Sequence, residues 1–226
     1  ANLLEQEKTF SYKIFEKKES LDLSDSYGIQ LSVNSIHLLN KVAFNKISAS
    51  DVCSPKKVNF FDAKNLKKIC DIDLSQFNNS NEKYTTLKRS KLLQFLKKNL
   101  GDEIIRYNHS VDQIKYDKDL ITLTFDNHKI NCDYLIVSDG VFSKSRSLIS
   151  NNKSQPKYNN TLAIRGKITN SSEIDNENIS LFLGSDFHQV IYPVNQNGDL
   201  NFIAIMKYEL SLEQQKNYSL FKENSF

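Results

Sequence analysis

Tyr134–Leu135–Ile136–Val137–Ser138–Asp139–Gly140–Val141–Phe142–Ser143–Lys144–Ser145–Arg146 is the stretch on which the reading of this chain turns. Its first four residues form an uninterrupted apolar run of the kind buried in a parallel sheet. The run stops at Ser138–Asp139–Gly140, where a glycine lets the backbone come close to a ligand. Asp139 can cap or orient the following turn, and Ser143 and Arg146 can reach phosphate oxygens. An Asp-Gly pair alone marks an ordinary turn. The wider spacing D-G-x-x-S-x-x-R after a Leu-Ile-Val run is much less common.

Upstream, residues 12–15 alternate, are rich in strand formers and stop at Glu16. A carboxylate closing such a strand can hold both hydroxyls of a ribose, because the sugar edge offers two donors. In dinucleotide-binding folds that acid lies about 20 residues after a Gly-rich turn. Counting back from Glu16 places the turn just before Ala1. Residues 1–8 read as the tail of a helix without an N-cap, and residues 212–226 as a polar helical stretch without a C-cap. Both ends are therefore expected to be truncated.

Between these signals the pattern alternates helix and sheet. Gly28 is read as a loop-to-helix entry, followed by a helix over residues 35–42 with Asn34 as its cap. Residues 58–62 and 68–74 predict a hairpin, and the Asn- and Ser-rich residues 76–82 a loop. Residues 90–100 form an amphipathic helix, with Leu92, Leu93, Leu96 and Leu100 on one face and Gly101 as its stop. Arg89 opens that helix, where a cation could face an anionic cofactor near a terminus that favours negative charge. Strands at 104–107, 111–116 and 120–125 and a short edge before Cys132 make a meander. Beyond a polar linker at 151–160, four antiparallel and partly exposed strands follow at 162–168, 179–183, 189–192 and 201–208.

Composition narrows the function classes. Hydrophobic residues make up 39% of 226 and charged residues 25%, an ordinary balance for a folded soluble domain. The net charge of +3 and scattered Lys pairs, without a basic stripe, argue against nucleic acid. Cys53, Cys70 and Cys132 fit neither a zinc site nor a disulfide framework, so a reducing cytoplasm is expected and no metal. No apolar run approaches the roughly 20 residues of a spanning helix, so no integral membrane segment is expected. Of the four histidines, none has a partner at motif spacing; His188 alone invites a substrate contact, since it precedes the strand ending at Tyr192–Pro193.

Taken together, Glu16, Tyr27–Gly28, Arg89 and the Asp139–Gly140 motif with Ser143 and Arg146 resemble the group A flavin-dependent monooxygenases. That family includes para-hydroxybenzoate hydroxylase, salicylate hydroxylase and the ubiquinone-biosynthesis hydroxylases. The resemblance runs from Glu16 to Tyr192–Pro193. It implies an α/β architecture: an FAD/NAD(P)-binding Rossmann-like domain with a mostly antiparallel substrate sheet. The FAD-binding part would comprise residues 1–52 and 85–150, and the substrate part residues 53–84 and 151–226. Glu16 would be the adenosine-ribose acid, Arg89 an FAD contact, and Asp139, Gly140, Ser143 and Arg146 the motif associated with FAD and NAD(P)H. Arg165, of the familiar Arg165–Gly166 pair, would face the substrate.

The resemblance also implies a reaction: reduction of FAD by NAD(P)H, capture of O2 and hydroxylation of a small, often phenolic, molecule. No side chain is required as a nucleophile. The family's G-x-G-x-x-G loop and its later Gly-Asp motif are absent from this sequence, so the chain alone is expected to bind FAD poorly and to be inactive. Two rival readings keep less of the family: a flavin-dependent reductase or halogenase, or an inactive truncated binding module.

Overall fold

The computed structural model describes residues 1–7, 9–23, 27–101, 103–126, 128–150, 156–169 and 175–216. In chain order the first elements are α1 (Asn2–Gln6), β1 (Ile14–Phe15), β2 (Gly28–Leu31), α2 (Val33–Asn40) and β3 (Val52–Cys53). Next come β4 (Lys57–Asp62), β5 (Lys68–Asp73), β6 (Thr85–Lys88), α3 (Arg89–Lys98) and β7 (Ile105–Arg106). The chain continues through β8 (Gln113–Asp117), β9 (Leu120–Phe125), β10 (His128–Cys132) and α4 (Lys144–Ser150). It ends with β11 (Thr161–Ile168), β12 (Ile179–Leu183), β13 (Phe187–Pro193), β14 (Leu200–Lys207) and α5 (Leu212–Lys216). The architecture is mixed α/β with predominantly antiparallel sheets.

Two compact units are formed, each from separated segments. The first comprises Ala1, Thr9–Leu21 and Gly101–Asn159; the second comprises Asn2–Lys8, Asp22–Leu100 and Asn160–Phe226. In the first unit, β8, β9 and β10 make the last three strands of the expected meander, whereas β7, expected to be its first strand, lies outside it and pairs in parallel with β1. Its core is aromatic: Phe125 is buried, and its ring lies 4.6 Å from that of Phe15.

The expected buried strand at 134–137 is not formed. Residues 134–140 carry no ladder, and Tyr134 and Ile136 are 85% and 80% exposed. A parallel strand hides its side chains only when neighbouring strands and covering helices flank it, and no described strand pairs with this run. Among the described residues, the only parallel pairing of the first unit is the two-residue β1–β7 ladder.

The second unit holds the six-stranded sheet β11-β14-β13-β12-β4-β5 and the three-stranded sheet β2-β6-β3. The hairpin β4–β5 and the four later strands form where the pattern places them. The parallel pairing of β12 with β4, Ile179 against Val58, is not announced by any local signal. The helix after β2 starts at Val33 with Ser32 as the cap residue, so Asn34 sits inside the first turn rather than capping it.

Gly28 corrects another expectation, since it opens β2 instead of entering a helix. A Cβ there would lie 2.7 Å from Asn201 Cβ, 2.7 Å from Val194 Cγ1 and 2.8 Å from Tyr192 Cε2. Its N–H donates to the buried Asn201 Oδ1 at 2.6 Å, and Thr86 Oγ1 donates to the Pro193 carbonyl at 2.5 Å. Here the small sheet meets the large one without room for a side chain. Gly28→Ala is therefore expected to destabilise the second unit by about 1–3 kcal/mol through overpacking, measured as a lower denaturant midpoint. An unchanged midpoint would mean that β2 can retreat.

Candidate functional site

Glu16 directly follows β1, and its N–H extends the parallel ladder by donating to the Arg106 carbonyl at 2.9 Å. Its side chain is half-buried. Oε1 accepts the Lys18 N–H at 2.9 Å, which fixes the carboxylate at the strand end.

The Asp139 motif lies in the same unit and makes its own network around the start of α4. Ser143 donates its hydroxyl to Asp139 Oδ1, and the Ser145 N–H donates to Asp139 Oδ2 at 3.0 Å. Ser143 Oγ in turn accepts the Arg146 N–H at 2.9 Å, and Arg146 Nη2 donates to the Val141 carbonyl at 2.9 Å. The spacing D-G-x-x-S-x-x-R thus has a local cause: each polar member satisfies a donor or acceptor left over at the start of a helix. Gly140 holds φ +85°, with nothing within 4 Å of where a Cβ would stand. Val137, Asp139, Gly140, Ser143, Arg146 and Ile149 line much of an open cleft of about 350 Å³.

Partial burial pushes the Asp139 carboxyl up, but the hydrogen bonds from Ser143 and Ser145 outweigh it and hold the group below its ordinary value. A carboxyl lowered on folding adds stability above its unfolded pKa and loses it as the pH falls through the folded value. An NMR titration of Asp139 is expected to give a midpoint below that of an ordinary aspartate, and Ser143→Ala should raise that midpoint. A midpoint indifferent to Ser143→Ala would detach the serine from the motif.

In the second unit, two of the expected residues converge. Arg89 is the first residue of α3, and its N–H donates to the Tyr27 carbonyl at 2.9 Å. Its guanidinium carbon stands 5.5 Å from the Tyr27 ring centroid, and that of Arg165 stands 4.8 Å from the same centroid. The neighbouring cations are already engaged by acids, Lys88 with Asp199 at 2.6 Å and Lys91 with Asp51 at 3.1 Å.

Arg165 lies on β11, in register with Ile203 of β14, which faces Val190 of β13. Opposed residues share a face and alternate residues return to it. Arg165, His188, Val190 and Tyr192 therefore project from one face of the large sheet. Tyr192 is 1% exposed, and burial pushes its phenol up to about 12 against lowering by a Gln30 hydrogen bond and the Arg165 charge. Tyr84 donates its hydroxyl to Gln30 Oε1 at 2.6 Å, so two phenols meet at one amide.

No family model matches the sequence, nor does any curated protein. Solved structures do match. HpxO of Klebsiella pneumoniae, complexed with FAD and uric acid, superposes with a TM-score of 0.79 at 16% identity, over 98% of this chain and 58% of that one. For 2,6-dihydroxypyridine-3-hydroxylase from Arthrobacter nicotinovorans the TM-score is 0.75 at 16% identity, over 93% and 53%. A salicylate hydroxylase substrate complex gives 0.73 at 16% identity, over 93% and 53%. The fold is that of the FAD-dependent hydroxylases. This chain spans between 53% and 58% of the length of these three structures.

Within this hydroxylase fold, sequence reasoning had singled out Arg89, Arg165 and His188 separately. It missed Tyr27, Gln30, Tyr84 and Tyr192 as partners. Tyr27 stands immediately before Gly28, and that adjacency was the only available signal. The face shared by Arg165 and Tyr192 requires the register of three strands. Among the described residues, no helix of this hydroxylase-like fold is long and apolar enough to cross a membrane.

Proposed function

We propose that the protein is an FAD-dependent monooxygenase that hydroxylates a small aromatic or related organic molecule with NAD(P)H and O2. The observation that carries this reading is the backbone likeness, over nearly the whole chain, to hydroxylases crystallised with FAD and with small-molecule substrates. The Rossmann-like, FAD-binding part comprises residues 1–52 and 85–150, and the substrate part comprises residues 53–84 and 151–226. This functional division cuts across the second compact unit.

The donor set fits the cofactor. In the first unit Glu16 offers an acceptor at a strand end for ribose hydroxyls and Gly140 an unobstructed backbone; in the second, Arg89 offers phosphate oxygens a guanidinium that stands over Tyr27 and makes no ion pair among the described residues. The Asp139 carboxylate serves mainly to hold its turn, so that Gly140 and Arg146 keep their places. FAD, when bound, supplies the redox chemistry. In the first unit the proposed cofactor contacts are Glu16 and the Asp139 motif; in the second, Arg89 is the proposed cofactor contact, and Arg165 and His188 are the proposed substrate contacts.

The test uses the full-length protein loaded with FAD. A panel of phenols and aromatic carboxylates is expected to stimulate NAD(P)H oxidation and O2 uptake, with a product one oxygen atom heavier. Flavin reduction without that product would identify a reductase, and a halide-dependent product a halogenase. Failure to bind flavin at all would leave a non-catalytic binding module.

A further inference from the structure

The tip of the β4–β5 hairpin carries two aliphatic side chains where the backbone departs from regular geometry. Leu66 holds φ +59° and is 67% exposed. Left-handed backbone is ordinarily given to Gly or Asn, because a larger side chain crowds the following carbonyl there. Ile69 is 58% exposed and is the extra residue of a bulge, since Phe60 opposes Cys70 while Phe61 opposes Lys68. A bulge re-aims its side chain and blunts an edge strand against pairing with another edge.

The tip is held in place by its own polar groups. Asp62 Oδ1 accepts the N–H of Lys64 at 2.7 Å and that of Asn65 at 3.3 Å, and Asn65 Oδ1 accepts the Lys67 N–H at 2.8 Å. The Asp62 N–H donates to the Lys67 carbonyl, and the Ala63 N–H to the Leu183 carbonyl at the end of β12, both at 2.9 Å. Leu66 and Ile69 are thus presented outward on a fixed turn. Around them the charge is positive. Asp71 engages Lys68 and, at 3.7 Å, Lys57, while Lys64 and Lys67 make no ion pair among the described residues.

The residue types decide what such a tip fits. Protein interfaces are enriched in aromatic residues and arginine and depleted in lysine, whereas this turn offers only lysines beside a leucine and an isoleucine. At a lipid surface that combination is favourable: aliphatic side chains enter the boundary between headgroups and acyl chains, and lysine stems lie along them with the ammonium at the phosphates. We infer that the β4–β5 tip docks the protein on an anionic membrane surface, with Leu66 and Ile69 inserted and Lys64 and Lys67 on lipid phosphates. The protein then lies on a bilayer rather than crossing it. This docking is independent of the hydroxylase reading.

The test is co-sedimentation of the full-length protein with vesicles of phosphatidylcholine alone and of an equal mixture of phosphatidylcholine and phosphatidylserine. Binding is expected only to the mixed vesicles and should weaken as salt is added. Lys64→Gln with Lys67→Gln is expected to lower the partition about 25-fold, roughly fivefold for each lysine. Leu66→Asn places a residue suited to left-handed backbone at the tip, so the melting temperature should hold or rise while vesicle binding falls about tenfold. That pairing separates loss of docking from loss of fold. No binding to the mixed vesicles, or binding unchanged by the lysine pair or by Leu66→Asn, overturns the inference. Release by inorganic phosphate at matched ionic strength overturns it too, since the tip would then be a site for the free anion. A dimer in vesicle-free solution that Leu66→Asn dissociates overturns it as well, because the tip would then be an interface between copies.

Discussion

Leu87→Ala is expected to cost the second unit about 2–5 kcal/mol of stability. Leu87 is fully buried in a cluster with Ile36 and Phe44, packed further by Ile29, Val52, Leu92 and Phe95. The cluster joins β2, β3 and β6 to α2, α3 and the helical turn that starts at Phe44, so the void left by the deleted atoms is walled by both strands and helices. Rings on two of those walls, Phe44 and Phe95, already meet edge to face at 5.3 Å and have little freedom to close in. Chemical denaturation checks this, with amide signals assigned so that the two units are followed separately. A loss below about 1 kcal/mol would show that the helices collapse onto the space and that the core is softer than its burial indicates.

Arg89→Ala should affect the cofactor and spare the fold. In the full-length protein the FAD dissociation constant is expected to rise roughly tenfold to a hundredfold, the equivalent of losing a charge-assisted hydrogen bond worth about 1.5–3 kcal/mol. The backbone bond from residue 89 to the Tyr27 carbonyl survives the substitution, and the packing of α3 rests on Leu92 and Phe95. Flavin titration beside thermal melting of the apoprotein separates the two effects. Unchanged FAD affinity, or a collapsed melt, would move Arg89 from ligand binding to structure.

Much of the secondary structure was legible because it is written in local periods. The Leu-rich helix α3, the hairpin β4–β5, the meander β8–β10 and the last four strands each satisfy their pattern with near neighbours. What escaped depends on distant partners. An apolar run such as 134–137 reads as a buried strand, yet burial is a property of the sheet around it, and here Tyr134 and Ile136 face outward. Gly28 reads as a flexible entry, whereas its role is a contact with residues more than a hundred positions away. Of the site, the charged residues were visible by type. Their grouping was not, since Tyr27 becomes a shared platform only once folding brings the Arg165 guanidinium over its ring from a different sheet.

The parallel joint between β4 and β12 bears on how the polypeptide acquires this arrangement as it is made. Lys57 and Asn178, hydrogen-bonded beside that joint, are 121 residues apart, and loop closure over such a span must precede any gain from the pairing. While the ribosome is still translating the intervening segment, the β4–β5 hairpin waits with β4 open along one side. The meander β8–β10 has all its partners within about twenty residues and can form during that interval. A nascent chain arrested before Ile179 therefore carries a settled meander and a sticky hairpin edge, the species on which a holdase chaperone would act.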